Sequence, residues 1–400
     1  MRIVVAGGAG AMAGGVLQDL LQQDDVSEIV VADISEEKAK ERVATLDDKR
    51  LVAKFVDLSD EKSSAALFKG ADVIINAASF DTALQATRAA AKAGVNYIDL
   101  GSEETQAQLA LHDEFKKKEV TAIPGVGTAP GADNIMARYL VDKLDTVESI
   151  HLKDGNIDLN ANEHSRALHW SYAIDGILDE FALNATPFLN GKMASVPGMS
   201  GMENFTFHEP VGTVAIGYTP HCEPETLARS FKDKGIKNVT WKIGFHPDFM
   251  QKCKSLVDLG FNSREPINIK GQMVAPKDVL LHLLYNQPEE TLKQPEYRAE
   301  IVVIVEGVES GQKVEYSASL FASPKAVEAM KSPFKKAKQA VPIARVGVYA
   351  AIVGLILARG QAEEKGCLPP EVCIPPELFL KEAAKRGHQV EITRKVLLQG

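Results

Sequence analysis

Cysteine is scarce in this chain, with four residues among 400: Cys222, Cys253, Cys367 and Cys373. None forms a CxxC pair, which speaks against a zinc site and a disulfide framework and fits a reduced, cytoplasmic compartment. Aromatic residues contribute only 6%, and no basic run is interleaved with them, so nucleic acid is not an expected partner. No stretch approaches the roughly 20 apolar residues of a membrane-spanning helix. The longest, VGVYAAIVGLILA at 346–358, lies between Arg345 and Arg359 and reads as a helix buried in a protein core. The first residues carry no signal-peptide pattern, since Arg2 runs directly into a β-type segment. No His/Asp/Glu grouping has metal-ligand spacing, so no metal is expected. Neither a Ser–His–Asp set with a nucleophile elbow nor an internal repeat is present.

What is present is enough apolar material, 45% of residues, for two cores in a mildly acidic chain of net charge -9. Up to about residue 124, apolar β-type runs alternate with helix-type segments. IVVA, EIVVAD, LVAKFVD, DVIINAA, YIDL and VTAIPG are the strands, and helical patterns fill the intervals. Six strands alternating with helices predict an α/β, doubly wound parallel sheet of the Rossmann type. Beyond Pro130 the rhythm changes. A helix is expected over 134–143, capped by Asp133 or Asn134. Longer strands follow with helices only around 249–259 and 276–285, which predicts an α+β domain with a mainly antiparallel sheet. The expected domains are 1–130, 131–335 and 336–400, the last a helix and a Pro-rich tail.

The exit of the first strand carries the most informative pattern. Gly8, Gly10, Ala11, Met12 and Ala13 fit G-x-G-x-x-(G/A) at a strand-to-helix turn. The first glycine permits the tight turn, the second lets backbone approach a pyrophosphate, and the small third residue lets helix and strand pack. The phosphates would then meet exposed N–H groups at a helix N-terminus. Asp33 ends the second strand about 20 residues on, where an acid accepts the ribose 2′-OH. It could equally cap the next helix, as could Ser35. A carboxylate repels a 2′-phosphate, and Ile34, Ser35, Glu36 and Glu37 supply no cation, so NAD is expected over NADP. Asp57 and Leu58 after the third strand, and Asn76, Ala77 and Ala78 after the fourth, belong to the same crevice or are turn residues. Asp99 and Gly101 follow the fifth, and Thr128 and Pro130 form a bend at the next crossing.

The segments GGAGAMA, VADIS, GADVIINAA, AAKAGVNYIDLGS and IPGVGTAPGADNIMARYL, with weaker matches at HWSYAIDGILDEF, ETLARSF and LPPEVCIP, resemble the saccharopine dehydrogenase-like oxidoreductases, and within them the lysine 6-dehydrogenase group. The resemblance covers nearly the whole chain. It implies NAD(P)-linked oxidation at a carbon bearing an amine in an amino-acid substrate, a C-terminal helix returning to the first domain, and a homodimer or higher homo-oligomer. The chain departs from the family pattern in three places. LKDGNIDLNANEH stands where family members carry GG-x-P, Lys242 stands for a carboxylate-binding arginine, and Ala129 precedes the Pro-Gly.

Hydride transfer needs the substrate amine neutral, and a free lysine amine titrates near ~10.4, so a base or a desolvating pocket is required. Asp99, at the carboxyl end of a strand, is one candidate base and could instead cap a helix; His169 is the second, with a structural role as its alternative. His169 adjoins Trp170 and Ser171, which match the family's substrate segment; Trp170 would pack the substrate stem or sit in the core. Lys242 and Arg229 are candidates for an α-carboxylate, and Arg229, set in LARSF, is expected not to be freely solvated. Phe80 is expected to border the nicotinamide. The leading expectation is oxidative deamination of L-lysine at its ε-carbon. The alternatives are saccharopine- or carboxynorspermidine-type reductive condensation, which predicts additional Arg and Lys in the pocket, and a catalytically silent NAD-binding sensor.

Overall fold

The computed structural model describes residues 1–102, 104–161, 168–287, 295–322 and 341–398. The chain divides into two compact units. The first comprises Met1–Lys143 together with Ile343–Val390, and the second comprises Leu144–Phe321 joined by the chain end from Glu391. The expected 335/336 boundary lies outside the described residues, as do 162–164 of the departing segment after Gly155.

In the first unit the strands are β1 (Arg2–Ala6), β2 (Glu28–Asp33), β3 (Leu51–Phe55), β4 (Val73–Asn76), β5 (Asn96–Asp99) and β6 (Thr121–Ile123). They form where apolar runs can be buried on both faces, as parallel sheets require. Ile3 to Ala6, Ile29 to Ala32 and Val73 to Ile75 are all fully buried. The expected doubly wound parallel sheet is present, in the order β3-β2-β1-β4-β5-β6, with a further strand beyond β6. The strand order reverses between β1 and β4, the place where such sheets open a crevice at their carboxyl ends.

The C-terminal part of the chain returns to this unit. Its helix, Val341–Ala358, packs tightly enough that a Cβ on Gly347 would lie 2.6 Å from the Val16 amide and one on Gly354 2.7 Å from Ile75. Gly15, next to the dinucleotide pattern, lies in this contact, its Cα 2.9 Å from where the Gly347 Cβ would stand. Among the described residues, no helix is long and apolar enough to cross a membrane. The helix expected at 134–143 runs instead over Ala132–Val141, with Gly131 as its N-cap. Asn134 lies inside it and accepts the Gly131 N–H at 3.0 Å, so the cap forms in reverse of the expected sense.

The second unit holds β7 (Thr146–Asp158), β8 (Phe188–Leu189), β9 (Lys192–Met193), β10 (Glu203–Thr206), β11 (Thr213–Tyr218), β12 (Asn238–Phe245), β13 (Ile267–Ile269), β14 (Gln272–Val274), β15 (Tyr297–Glu309) and β16 (Gln312–Ala322). The further strand of the first sheet is β17 (Gly366–Cys367), and β18 (His388–Val396) closes the order β10-β11-β12-β7-β15-β16-β18. The sheet is mixed and mainly antiparallel: β12 runs parallel to β7, whereas β15 runs antiparallel to both β7 and β16. Ile150 and Leu152 of β7 are fully buried, whereas His151 and Lys153 keep partial exposure, the alternation of a sheet with two unlike faces. The sequence pattern did not disclose β8 to β11, the helices Ile174–Ala182 and Glu223–Ser230, or β18. Each is short or lacks a sustained period.

Candidate functional site

The crevice of the first unit is built by the carboxyl ends of β1, β2, β4 and β5. At the exit of β1 the residue with left-handed backbone is Gly7, at φ 67°, one position before the glycine that the motif spacing assigns. A Cβ there would lie 2.6 Å from both the N and the Cα of Ala78, so β1 and β4 exits touch through backbone. Gly8 is needed for a different reason: a Cβ would press to 2.7 Å from the Val31 side chain. A Cβ on Gly10 would meet nothing nearer than the Gly7 carbonyl at 3.1 Å, leaving the outer face of the turn open. Gly10 and Ala11 are exposed, and Met12 stands at the N-cap position of the helix Ala13–Leu20 without a side-chain capping bond. An open amide-rich turn ahead of a helix is the cradle a pyrophosphate requires.

Asp33 is tied to this turn. Its carboxylate accepts the Ala9 N–H at 3.1 Å and the Ser35 N–H at 3.0 Å, while Ser35 itself caps the helix Glu36–Leu46. The expected alternative, Asp33 as the helix cap, therefore falls to Ser35. Ile34 beside it is 69% exposed, an apolar surface at the place where an adenine would lie. One neighbour was not legible from the sequence. Arg42, nine residues after Asp33, folds back from the helix so that Nη2 donates to the carbonyls of Ala9 at 2.9 Å and Gly10 at 3.2 Å. Burial lowers its guanidinium from the ordinary range, and the charge of Asp33 opposes that.

The remaining first-unit residues shape the crevice walls. Asp57 accepts both the amide and the hydroxyl of Ser59, which lowers its carboxyl, while Leu58 is buried. Asn76 bonds the Tyr97 hydroxyl and the Ala78 amide, and Ala77 donates to Ala6. Phe80 is 47% exposed, and its ring lies 3.2 Å from where a Cβ on Gly101 would stand. Thr128 is buried with no partner for its hydroxyl among the described residues, and Pro130 follows in the bend.

Asp99 has a different station from the expected base. It is buried, accepting the Gly101 and Gly125 amides on one oxygen and the Gln108 side chain at 2.6 Å on the other. Burial pushes its carboxyl up to about 6. These bonds knot the ends of β5 and β6 to the helix Thr105–Leu109, with the carboxylate turned away from solvent.

The second unit has its own cleft, enclosing about 510 Å³ of space partly open to solvent. His169, Trp170 and Ser171, consecutive in the chain, line it. Asn156 and Asp158 from the end of β7 and Tyr297 from the start of β15 join them. Phe245, His246, Asp248, Phe249 and Lys252 come from the β12 exit and the helix Pro247–Asp258. Asn156 donates to the Ser171 hydroxyl at 2.9 Å, and Trp170 meets Tyr285 edge-on at 5.7 Å. The buried Tyr297 hydroxyl and His246 Nδ1 have no hydrogen-bond partner among the described residues. Burial and then the charge of Asp158 push the Tyr297 phenol well up.

Two expected carboxylate binders lie elsewhere. Lys242 points to the opposite face of β12 from Phe245, because side chains alternate along a strand. There it donates to the Gly201 carbonyl at 2.6 Å and lies 3.3 Å from Glu203. Arg229, expected to be shielded, has a side chain 55% exposed and pairs with Glu225 one turn earlier. Ala228 and Leu227, one and two residues before it, point about 100° and 200° away around the helix, so they do not cover it. The described residues contain no cluster of His, Cys, Asp and Glu able to hold a metal.

Comparison with known proteins agrees with this layout. Residues 3–123 match the family described as saccharopine dehydrogenase NADP binding domain, and residues 127–388 match saccharopine dehydrogenase C-terminal domain. Carboxynorspermidine synthase of Vibrio cholerae is 26% identical over 319 residues, covering 73% of this chain and 74% of that protein. Carboxyaminopropylagmatine dehydrogenase of Synechocystis sp. is 22% identical, covering 97% and 96%. Saccharopine dehydrogenase (L-Glu forming) of Saccharomyces cerevisiae shares the fold with a TM-score of 0.73 at 15% identity, covering 99% of this chain and 100% of that one. Homospermidine synthase of Legionella pneumophila, solved in complex with NAD, does so with a TM-score of 0.68 at 12% identity, covering 98% and 91%. With an open glycine turn at the switch point of one unit and a family match running through both, the chain belongs to the saccharopine dehydrogenase-like family of NAD(P)-dependent oxidoreductases.

Proposed function

We propose that this protein joins a small diamine to an amino-acid aldehyde by reducing the C=N bond that forms between them, a carboxynorspermidine-synthase type of reaction. The observation that carries the reading is the composition of the second unit's cleft. Two carboxylates, Asp158 and Asp248, stand among Trp170, Phe245, Phe249 and Tyr297. Ring faces and carboxylates together attract alkylammonium groups, and a diamine carries two. Saccharopine-type and carboxynorspermidine-type condensation are both expected to bring additional Arg and Lys to the pocket, the more so for saccharopine-type substrates with their additional carboxylates. Among the described residues lining the cleft the long cation is Lys252, already 2.7 Å from Asp248. The names of the two curated relatives point the same way.

Condensation joins the amine nitrogen to the aldehyde carbon with loss of water. The bound nicotinamide supplies the hydride. The chain's own contribution is to bind and desolvate the amine, to take up a proton before attack and to return one to the product nitrogen. His169 and His246 are our candidates for moving that proton, and the Tyr297 hydroxyl for holding the nitrogen in place. The sequence resemblance favoured a second reading, oxidation of L-lysine at its ε-carbon. That ammonium suits the same cleft, but the reaction consumes oxidised cofactor and needs no aldehyde.

The test follows reduced cofactor in the presence of diamines and amino-acid semialdehydes, singly and paired, beside oxidised cofactor with L-lysine. Oxidation that requires both organic partners is the expected result. Reduction driven by L-lysine without aldehyde would restore the second reading. Cofactor binding with no turnover of any amine would favour a sensor.

A further inference from the structure

We propose that the surface running from Leu259 to Tyr285 is a docking face for a second copy of this chain, so that the protein self-associates through a hairpin and a helix of its second unit. The inference stands apart from the proposed reaction and from the dinucleotide reading, since it uses no residue of either site.

Eight of the 18 large apolar side chains left exposed among the described residues fall in this stretch. Local structure turns them outward. Lys270 at φ 51° and Gly271 at φ 89° form a two-residue left-handed turn, the kind that suits the twist of paired strands. It joins β13 to β14, with Ile267 opposite Val274 and Ile269 opposite Gln272. Among the described residues no third strand joins this pair. Half-exposed Ile267 and Ile269 share one face of the hairpin, and Met273, 64% exposed, projects from the other. A lone two-stranded hairpin is marginal in water and depends on what packs against it. The helix Pro276–Tyr285 repeats the theme. Leu280 and Leu284 are buried, while Val279 and Leu283, also one turn apart, form a second stripe open to solvent. Leu259, just past the helix Pro247–Asp258, is 75% exposed.

Area and charge select a second copy as the occupant. Bare side chains of this size offer on the order of 150 Å² each, so eight at about half exposure come to roughly 600 Å², close to the ~800 Å² each partner contributes to a stable interface. Monomeric proteins seldom leave that much apolar surface uncovered. The exposed charges in the stretch are Arg264, Lys270, Glu265 and Asp278, two of each sign. A two-fold contact sets a patch against itself, and a balanced patch meets its copy without repulsion although the whole chain carries -9. An anionic lipid surface would call for an excess of cations, which this stretch lacks. The rival surface is the edge strand β18, where Ile392 and Val396 are exposed. Glu391, Arg394 and Lys395 stand among them, the charges that guard an edge against pairing.

The experiment weighs the full-length protein by light scattering from ~1 to ~100 µM, the range in which an interface of this size is populated. The wild type should show twice the chain mass. Ile269→Glu and Leu283→Glu should each raise the dissociation constant by about thirtyfold or more, and the two together should leave a monomer. Both side chains are exposed in a single copy, so the thermal melt of the separated chain and its NADH affinity should stay as in the wild type. Ile392→Asp on β18 should leave the dimer intact. A wild type that is monomeric at ~100 µM, well above the working range of such an interface, overturns the proposal. So does a dimer that survives the double variant, or one that Ile392→Asp dissolves. Sedimentation of the wild type with phosphatidylglycerol vesicles, abolished by Leu283→Glu, would also overturn it and assign the face to a membrane. Should the double variant fail to fold, hydrogen exchange on the wild type decides. Amides across 267–285 should gain protection as protein concentration rises, and protection that stays constant overturns the inference.

Discussion

Replacing Glu180 by Gln should stabilise the second unit above neutral pH and leave it nearly unchanged in acid. Glu180 sits on the helix Ile174–Ala182 and accepts the Tyr172 hydroxyl at 2.7 Å on one oxygen; its other oxygen has no partner among the described residues. Burial raises its carboxyl from 4.5 to about 7, with His221 and the Tyr172 bond pulling it down and Asp154 and Asp179 pushing it further up. Because the folded value is raised, the native chain holds this proton where the unfolded chain has released it. Stability is therefore full below about 4.5, falls as pH climbs through the interval, and levels off above about 7. The slope is ~1.4 kcal/mol per pH unit, so the loss between pH 5 and pH 8 comes to about 3 kcal/mol. Gln keeps an acceptor for Tyr172 and has no proton to lose. Urea unfolding followed by tryptophan fluorescence reads the right unit, since both tryptophans, Trp170 and Trp241, lie within Leu144–Phe321. The stability gap between Glu180→Gln and wild type should widen by about 3 kcal/mol from pH 5 to pH 8, roughly 1 M in urea midpoint. Parallel profiles across that range would refute the reasoning, because a carboxyl ionised throughout cannot contribute a slope.

Three further outcomes are expected. Gly10→Ala should fold normally but bind dinucleotide at least about tenfold more weakly, since its new methyl enters the open face of the turn. Gly7→Ala should lower the melting temperature as well, because its methyl would collide with the Ala78 backbone at 2.6 Å. Thermal melts beside NADH titrations separate the two. Trp170→Ala should raise the amine KM by roughly tenfold, the worth of a ring against an ammonium, and leave nucleotide affinity unchanged in titration. A thiol reagent should label Cys222 first. Cys253, Cys367 and Cys373 are buried, and burial raises each of their thiols, so they should react only on unfolding.

Some of this molecule was legible before any coordinate. The parallel sheet announces itself because each strand must be apolar on both faces, as in Ile29 to Ala32. The turn after β1 announces itself because only glycine fits there, although the residue under positive φ proved to be Gly7 and the tightly packed one Gly8. Trp170 and Ser171 were found through their local segment. Asp99 looked like a base because strand ends face the crevice. Its actual bonds to Gly101, Gly125 and Gln108 depend on loops whose paths no local pattern encodes.

By itself, then, the order of amino acids determined the layered α/β unit, the mixed α+β unit and the phosphate-ready turn, since periodicity and backbone freedom are properties of neighbouring residues. Tertiary structure decided the rest. It returned Arg42 to the rim of the glycine turn, carried Lys242 to the far face of β12 and Arg229 into solvent, and assembled Asp158, His246, Asp248 and Tyr297 around one cleft. Those side chains lie on separate elements, up to about 140 residues apart in the chain. They meet because pairing of β7 with β12 and β15 brings the strand ends together. Strand register and helix facing are set by burial across the whole unit, which no window of adjacent residues contains.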